Sequence, residues 1–230
     1  MKINILYSLE DADQATGLVV VIDVFRAFST ACYLFAAGVK KIIPVADIDL
    51  AYQLKKENPE FILVGERNGK IQPGFDFGNS PWQIRDFDWK DKTIIHTTTS
   101  GTQGIIKAKE AKEIITGSFV NAQAIVNYIN NKKPEAVSFI CTYTANEHIA
   151  NEDLLCARYL KKALLKEKND FNKTVENLKR DGFANHFFDP GIISHPVEDF
   201  DLCMQLDKFN FVLEAHGKKE GEISLVKIDL

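Results

Sequence analysis

The chain has 230 residues, of which 45% are hydrophobic and 26% charged, and this composition is typical of a folded globular protein rather than a disordered one. Its net charge of −4 comes from 28 basic and 32 acidic residues spread along the sequence, so no basic stripe favours a nucleic acid as partner. No apolar run approaches the ~20 residues of a membrane span, and the N-terminal MKINILYSLEDAD turns acidic before a signal-peptide core develops, which predicts a cytoplasmic protein without a membrane partner.

The predicted strands are short runs rich in β-branched residues. They cover residues 3–7, 19–22, 41–45, 61–65, 93–96, 114–116, 136–141, 211–213 and 223–228. Helices are expected to alternate with the strands. One follows a loop over 23–30 and ends near residue 38, and another follows a loop over 97–102 and ends near residue 109. The others cover 48–56, 122–130 and about 152–165, and a last one begins near residue 196. Runs such as VVVI indicate strands buried on both faces, so the alternation predicts a three-layer α/β/α fold with a largely parallel or mixed central sheet.

No linker or low-complexity stretch divides the chain, which favours one compact domain over residues 1–230. The segments that end in KKIIPVAD and KEIITGSF share a strand, a loop, a helix and a second strand. This agreement indicates two similar, intertwined halves of about 1–116 and 117–230. The oligomeric state is left open, a homo-oligomer included.

Cysteine and histidine spacing favours neither disulfides nor zinc. Cys32, Cys141, Cys156 and Cys203 lie far apart without a CxxC pair, which predicts reduced and mostly buried thiols. The five histidines show no H-x-H or HExxH spacing. His96 abuts a threonine-rich loop and is the one histidine with a candidate role.

The first candidate site segment follows the strand VVVI. Asp23 comes directly after it, and Arg26 follows three residues later. A carboxylate there is suited to hold a metal, and an arginine fork is suited to grip an anion. The alternative, weighted equally, is that the two residues simply pair with each other.

The second segment, residues 97–102, reads TTTSGT and offers five hydroxyls around a glycine between a strand and a helix. Such neutral donors and backbone N–H groups suit a phosphate. The candidate binding residues are Thr98, Thr99, Ser100, Gly101 and Thr102. The alternative is a hydroxyl-rich turn that only caps a helix. It is not a Walker loop, because no lysine follows the glycine.

The third segment, GERNGKIQPGFDFGNSP over residues 65–81, contains four glycines and two prolines and therefore forms no regular element. A long structured loop in a compact domain is usually functional. It carries Glu66, Arg67, Asn79 and Ser80, and also Asp76, for which turn stabilisation is the stronger alternative.

A fourth segment, NED over residues 151–153, begins a helix. Two nearby carboxylates suit Mg²⁺, although acids in a first helical turn often only complement the helix dipole. A similar strand-to-helix loop contains Ser118 and Asn121, and Asn121 is expected to cap the following helix.

Four ordered motifs resemble the 2-phosphosulfolactate phosphatase family: VVVIDVFRAFSTA, VGERNG with PGFDFGNSP, TIIHTTTSGTQGI, and ITGSFVNAQAIV. The resemblance covers about residues 17–126 and more loosely LCMQLDKFNFV near the C-terminus. It implies a magnesium-dependent hydrolase that cleaves (2R)-phospho-3-sulfolactate into sulfolactate and phosphate, a step that serves coenzyme M synthesis in methanogens.

Carried over by position, the family motifs fall on residues of all the loops above. They match Asp23, Arg26, Thr30, Gly65, Glu66, Arg67, Gly78 to Pro81, Thr97 to Thr102, Gly117, Ser118 and Asn121. Three departures occur: Ser100 stands where asparagine is expected, Cys141-Thr142-Tyr143 replaces Cys-Ala-Gly, and Arg158 replaces a small residue.

Known covalent phosphatase routes lack their motifs in this chain. Asp23-Val24-Phe25 is not the Asp-x-Asp of aspartyl-phosphate enzymes, and no cysteine has an arginine six residues later. Metal-assisted attack of water is what remains.

In this hypothesis Asp23, Glu66 and Asp153 hold Mg²⁺ or orient the water. Asp23, Glu66 and Arg26 are the catalytic candidates, while Arg67 and the polar loops bind a small anionic phosphorylated substrate. The alternatives are a phosphatase for another phosphorylated hydroxy acid or sugar phosphate, and a non-catalytic anion-binding module.

Overall fold

The computed structural model describes residues 1–142, 151–180, 182 and 184–230, and for residue 151 only the backbone. The predicted polar loop after Cys141, with Tyr143 and His148, lies outside the described residues.

All nine predicted strands are confirmed within the described part of the chain, and they form one sheet. The strands are β1 (Lys2–Leu6), β2 (Gly17–Ile22), β3 (Lys41–Pro44), β4 (Ile62–Gly65), β5 (Thr93–Thr97), β6 (Ala111–Gly117), β7 (Ala136–Cys141), β8 (Phe211–His216) and β9 (Ser224–Asp229). The strand ends differ most from the prediction in β6, which begins three residues earlier, and in β8, which ends three residues later.

The helices follow the predicted alternation, with two additions near the C-terminus. They are α1 (Ala27–Ala36), α2 (Ile48–Glu57), α3 (Gly101–Lys107), α4 (Ala122–Lys132), α5 (Asn151–Leu164), α6 (Phe171–Arg180), α7 (Asn185–Phe188) and α8 (Val197–Cys203). Short 3₁₀ turns cover Leu9–Gln14 and Phe119–Asn121. Helices α6 and α7 were not predicted from the sequence, because α6 is mostly polar and α7 spans a single turn.

Two local predictions were wrong. Helix α1 begins at Ala27, so the expected loop over 23–30 is shorter and Thr30 lies inside the helix. The side chain of Asn121 makes no capping bond to α4. Its Oδ1 instead accepts from the backbone N–H of Ser118 at 3.2 Å, and its Nδ2 donates to the carbonyl of Phe211 at 3.3 Å.

The sheet is mixed, with strand order β1-β7-β2-β6-β8-β9-β3-β5-β4. The strands β1, β7, β2 and β6 are parallel to one another, as are β3, β5 and β4. The β8–β9 hairpin joins the two groups by three successive antiparallel pairings. The second parallel group therefore runs opposite to the first.

Both faces of the sheet are covered, which confirms the three-layer α/β/α prediction. In β2, Val19 and Val21 pack into a core cluster with α1 and α3, while Val20 and Ile22 point to the other face, against α4 and α5. Side chains alternate along a strand, so burial on both faces explains the unbroken VVVI run. At the far end of the sheet a third cluster packs α2 against β3, β4 and β5.

The two helices that leave β2 and β5 bring the site together. Helix α1 follows β2 and α3 follows β5, and both contribute to the core cluster on the same face of the sheet. Their N-terminal ends meet: a Cβ built on Gly101 would lie 2.6 Å from Asp23 Oδ2 and 2.7 Å from the Cβ of Ala27. Glycine at position 101 permits this approach because it has no side chain.

Within the described ranges, no helix has the length and apolarity to cross a membrane. The organisation as one domain and the proposed duplication stay predictions.

Candidate active site

The loop between β2 and α1 places a buried carboxyl at the start of a helix. Asp23 Oδ1 accepts a 2.9 Å hydrogen bond from the backbone N–H of Ala27, the first residue of α1. Asp23 Oδ2 faces Gly101 at the start of α3. The predicted carboxylate is thus fixed by one oxygen and directed toward the threonine-rich loop by the other.

Arg26 pairs with a residue that the sequence analysis did not select. Its Nη1 donates to Asp199 Oδ2 at 2.5 Å and to the carbonyl of Ser194 at 2.9 Å. The alternative in which Asp23 and Arg26 form an ion pair with each other is therefore not the arrangement observed. Arg26 is only 5% exposed, and both of its hydrogen bonds to described residues leave from Nη1.

Asp199 in α8 also holds the loop that carries Asn79 and Ser80. Its Oδ1 accepts from Ser80 Oγ at 2.8 Å and from the backbone N–H of Trp82 at 2.9 Å. Its side chain is completely buried. No sequence motif pointed to this aspartate, since an acid in the first turn of a short helix is common.

Asn79 lies against His96 of β5. The imidazole Nε2 is 3.2 Å from Asn79 Oδ1, and burial, with a smaller contribution from the charge of Arg67, lowers the pKa of His96 to about 4. The ring is therefore neutral near pH 7. In that state Nε2–H can donate to Asn79 and fix the orientation of the amide. The described contact of His96 therefore supports the loop that carries Asn79.

Glu66 ties the long loop after β4 to the threonine-rich loop. Its Oε1 accepts from the backbone N–H of Thr99 at 2.7 Å, and its Oε2 accepts from Thr99 Oγ1 at 2.9 Å and from the N–H of Gly69 at 2.7 Å. Charge-assisted bonds of this kind are strong, so the carboxylate holds the two loops in one geometry. This arrangement brings two of the predicted segments into direct contact.

Within the threonine-rich loop, two residues cap the helix and two are partly exposed. Thr98 and Thr102 exchange bonds: each backbone N–H donates to the hydroxyl of the other, at 3.1 and 3.2 Å. Both are buried, so the capping interpretation describes them well. Thr99 and Ser100 are partly exposed, and the Ser100 hydroxyl makes no capping bond to α3.

Arg67 already donates to several protein acceptors. Its guanidinium reaches the carbonyls of Ala46 at 2.7 Å and Glu66 at 2.8 Å, and Thr97 Oγ1 at 2.5 Å. Burial lowers the pKa of Arg67 from its usual value, while neighbouring acids, Glu66 first, oppose that change. The described contacts give Arg67 a loop-holding role, and substrate binding by it stays a prediction.

Ser118 and Asn121 are completely buried beneath the loops. Ser118 Oγ lies 2.6 Å from Ser29 Oγ, which links β6 to α1. The described contacts of both residues are with protein groups, and a substrate contact for either stays a prediction.

Three carboxyl groups gather where α5 begins beside the loop after β2. Asp153 Oδ1 accepts from the N–H of Val24 at 2.8 Å, and its Oδ2 accepts from the N–H and hydroxyl of Thr142 at 3.2 and 3.1 Å. Burial first, and then the charges of Glu152 and Asp23, raise the pKa of Asp153 well above its usual value.

The other two members of this carboxyl cluster show the same effect. Burial and the charge of Glu66 raise the pKa of Asp23 to about 6, against opposition from the Ala27 N–H, Thr142 and Arg26. Burial and the charge of Asp23 raise the pKa of Glu152 to about 7. In all three groups burial is the largest cause and neighbouring carboxylates add to it, so the ionised forms are unfavourable here and a bound cation would stabilise them.

The raised pKa values of Asp23 and Glu152 predict that the protein loses stability as the pH rises toward neutral. The folded state retains protons on Asp23 and Glu152 up to about pH 6 and 7, whereas unfolded carboxyls lose them near pH 4. The folded state binds more protons in that window, so the free energy of unfolding should fall as pH rises from about 4 to 7. Urea unfolding of metal-free protein across this range measures it, and Asp23→Asn should flatten the curve. Parallel curves for the two proteins would contradict the assignment.

The described residues fit a magnesium ion held by few protein ligands. They contain no group of three or more His, Cys, Asp or Glu side chains arranged to hold a metal. Mg²⁺ commonly takes one or two carboxylates and completes its shell with water and phosphate oxygens. The carboxyl groups around Asp23 offer only oxygen atoms and negative charge, which are the ligands that Mg²⁺ prefers.

The four cysteines are buried and free of disulfides, as predicted. Burial raises the pKa of each thiol, so none has the thiolate character of a nucleophile.

The chain is similar to known proteins over most of its length. The family described as 2-phosphosulpholactate phosphatase matches residues 5–218. A protein of Bacillus subtilis strain 168 is 31% identical over 96% of this chain and 94% of its own length. A protein of Clostridium novyi strain NT is 35% identical over 95% of this chain and 99% of its own length. A protein of Carboxydothermus hydrogenoformans is 33% identical over 97% of this chain and 96% of its own length. Each of the three carries the name "Probable 2-phosphosulfolactate phosphatase".

Proposed function

The chain belongs to the 2-phosphosulfolactate phosphatase family, and we propose that it is a phosphoric monoester hydrolase that cleaves 2-phosphosulfolactate into sulfolactate and phosphate with Mg²⁺. One observation carries the proposal beyond the family name. Within one short loop lie a buried carboxyl directed toward a neighbouring helix start and a buried arginine whose hydrogen bonds to described residues all leave from Nη1. This loop pairs a ligand for a cation with a donor for an anion.

Arg26 is the main phosphate-binding group in this proposal. Its Nη1 is committed to Asp199 and Ser194, which leaves Nη2 and Nε to donate to phosphate oxygens. Two N–H groups on one planar guanidinium match two oxygens of a phosphate. Ser100, which is partly exposed and makes no capping bond, adds a neutral donor, whereas the N–H and hydroxyl of Thr99 both already donate to Glu66.

The carboxylates are proposed to divide between holding the cation and holding the loops. Asp23 leads as ligand, since one of its oxygens faces the threonine-rich loop; Glu66 and Asp153 remain candidates while their described bonds fix neighbouring backbone. Bound Mg²⁺ would supply positive charge for the phosphate oxygens and favour attack by water. Hydrolysis of phosphate monoesters is among the slowest uncatalysed reactions, so such charge stabilisation is the main requirement.

Phosphate release from a substrate panel tests the proposal. With Mg²⁺ we expect release from 2-phosphosulfolactate, loss of release on chelation with EDTA, and recovery when Mg²⁺ is restored in excess. Release from many phosphorylated hydroxy acids or sugar phosphates would instead support the broader phosphatase. Tight binding of these anions without release would support the anion-binding module and overturn the proposal. Coenzyme M synthesis and cytoplasmic location stay predictions from the sequence.

A further inference from the structure

Asp199 is the most completely buried acid near the site, with an exposed fraction of 0%. It lies in α8, 173 residues along the chain from Arg26 and 119 from Ser80, and contacts both. The two partners belong to different predicted site segments, the loop after β2 and the loop before β5. Asp199 is therefore the point at which these two segments are joined.

The carboxylate of Asp199 is nearly saturated with hydrogen bonds. One oxygen accepts from Arg26 Nη1 at 2.5 Å, and the other accepts from Ser80 Oγ and Trp82 N–H at 2.8 and 2.9 Å. Because the two oxygens bind different partners, the Asp199 carboxylate has little freedom to rotate. A shift of the loop that carries Ser80 would therefore be passed to Arg26.

A buried ion pair is a costly way to stabilise a fold. Desolvation of two charges consumes much of their attraction, and packed apolar side chains often stabilise as well or better. Arg26 and Asp199 are nevertheless 5% and 0% exposed and lie next to the proposed phosphate site. A functional role for the geometry accounts for this placement better than stability does.

These contacts also determine which nitrogens of Arg26 face a ligand. Nη1 donates to Asp199 and to the Ser194 carbonyl, and the centroid of the Phe187 ring lies 6.0 Å from the guanidinium carbon. An arginine held at one nitrogen keeps Nη2 and Nε in a fixed direction. Pre-organisation of this kind lowers the entropy cost of gripping a phosphate.

We propose that Asp199 is a positioning residue that joins Arg26 and the Asn79–Ser80 loop into one rigid phosphate-binding unit. The inference rests on the proposed function for the role of Arg26. Asp199 touches neither substrate nor metal in this scheme and acts through Arg26 and Ser80.

The test is a double-mutant cycle of Asp199→Asn and Arg26→Gln. Asparagine keeps the size of the side chain and one carbonyl acceptor but removes the charge. We expect Asp199→Asn to lower kcat/KM by about 100-fold and to weaken orthophosphate binding by about 10-fold, since small misplacements of binding groups have effects of this size. The loss in the double variant should be clearly smaller than the two single losses combined, because much of the effect of Asp199 passes through that arginine.

Asp201→Asn is the matched control, an exposed acid two residues further along α8, and should leave kcat/KM within about 2-fold. Fully additive losses in the cycle, or unchanged phosphate affinity in folded Asp199→Asn, would overturn the proposal. Should that variant not fold, Ser80→Ala removes one donor to Asp199 without touching the charge pair. It should raise KM and weaken orthophosphate binding several-fold, and no change in either would equally refute the joint unit.

Orthophosphate binding by calorimetry requires no turnover and separates two kinds of failure. If the wild-type protein releases no phosphate from any substrate, the proposed function fails. A loss of orthophosphate affinity in Asp199→Asn would still support the positioning role in that case. If the wild-type protein is active and both readouts survive the substitution, only the positioning role fails.

Discussion

Asp23→Asn is expected to lower kcat/KM by about 100- to 1,000-fold while making the metal-free protein more stable. The activity should fall because the variant loses the carboxylate proposed as the leading cation ligand, and loss of one electrostatic group at a reacting centre has effects of this size. Stability at pH 7 should rise by roughly 1–3 kcal/mol, because the raised pKa of Asp23 means that its charge is unfavourable in the folded state. Asparagine retains an acceptor for the Ala27 N–H.

Phosphate release and urea unfolding, each measured at pH 7, check the two halves of this expectation. Asp49→Asn is the control, an exposed acid in α2 whose loss should change the free energy of unfolding by no more than about 0.5 kcal/mol. An Asp23→Asn protein that is both active and less stable would remove Asp23 from the cation-binding role. Opposite effects on activity and stability are the signature of a functional charge that the fold tolerates.

Gly65→Ala is expected to destabilise the protein by more than about 4 kcal/mol, the range reached only by severe core damage. Gly65 ends β4 with φ +151°, and a Cβ there would lie 1.9 Å from the carbonyl oxygen of Thr97. That oxygen accepts a bond from the N–H of Glu66, so relief of the clash must displace both β5 and the Glu66 loop. Any folded fraction should therefore also lose activity.

Gly74→Ala in the same long loop is the matched control. It shares a positive φ, +78°, but the nearest atom to its Cβ is 4.0 Å away, so backbone strain of about 1–2 kcal/mol is the whole expected cost. Urea unfolding of both variants makes the comparison. Equal stability of the two would show that strand β5 yields to the added methyl group easily.

Most of the secondary structure could be read from the sequence because local patterns decide it. β-Branched runs located every strand, and the burial of alternate residues on two faces explains why those runs were continuous. Helix α6 was overlooked because it is short and mostly polar, although Phe171, Val175 and Leu178 recur at helical spacing and pack into the core. The direction of β3, β4 and β5 relative to β2 was equally hidden, since the β8–β9 hairpin between them lies at the other end of the chain.

The sequence by itself determined which loops are proposed to carry the chemistry: Asp23 and Arg26 after β2, Glu66 after β4, and the hydroxyl-rich loop after β5. Their motifs are local, and a short spacing fixes such residues on one loop. Only the tertiary structure decided which residues meet. Arg26 pairs with Asp199 rather than with Asp23, and Glu66 binds the backbone of Thr99. These partners lie 173 and 33 residues apart, and no local pattern specifies a contact across such distances, because the packing of α8 beside α1 and the pairing of β4 with β5 set it.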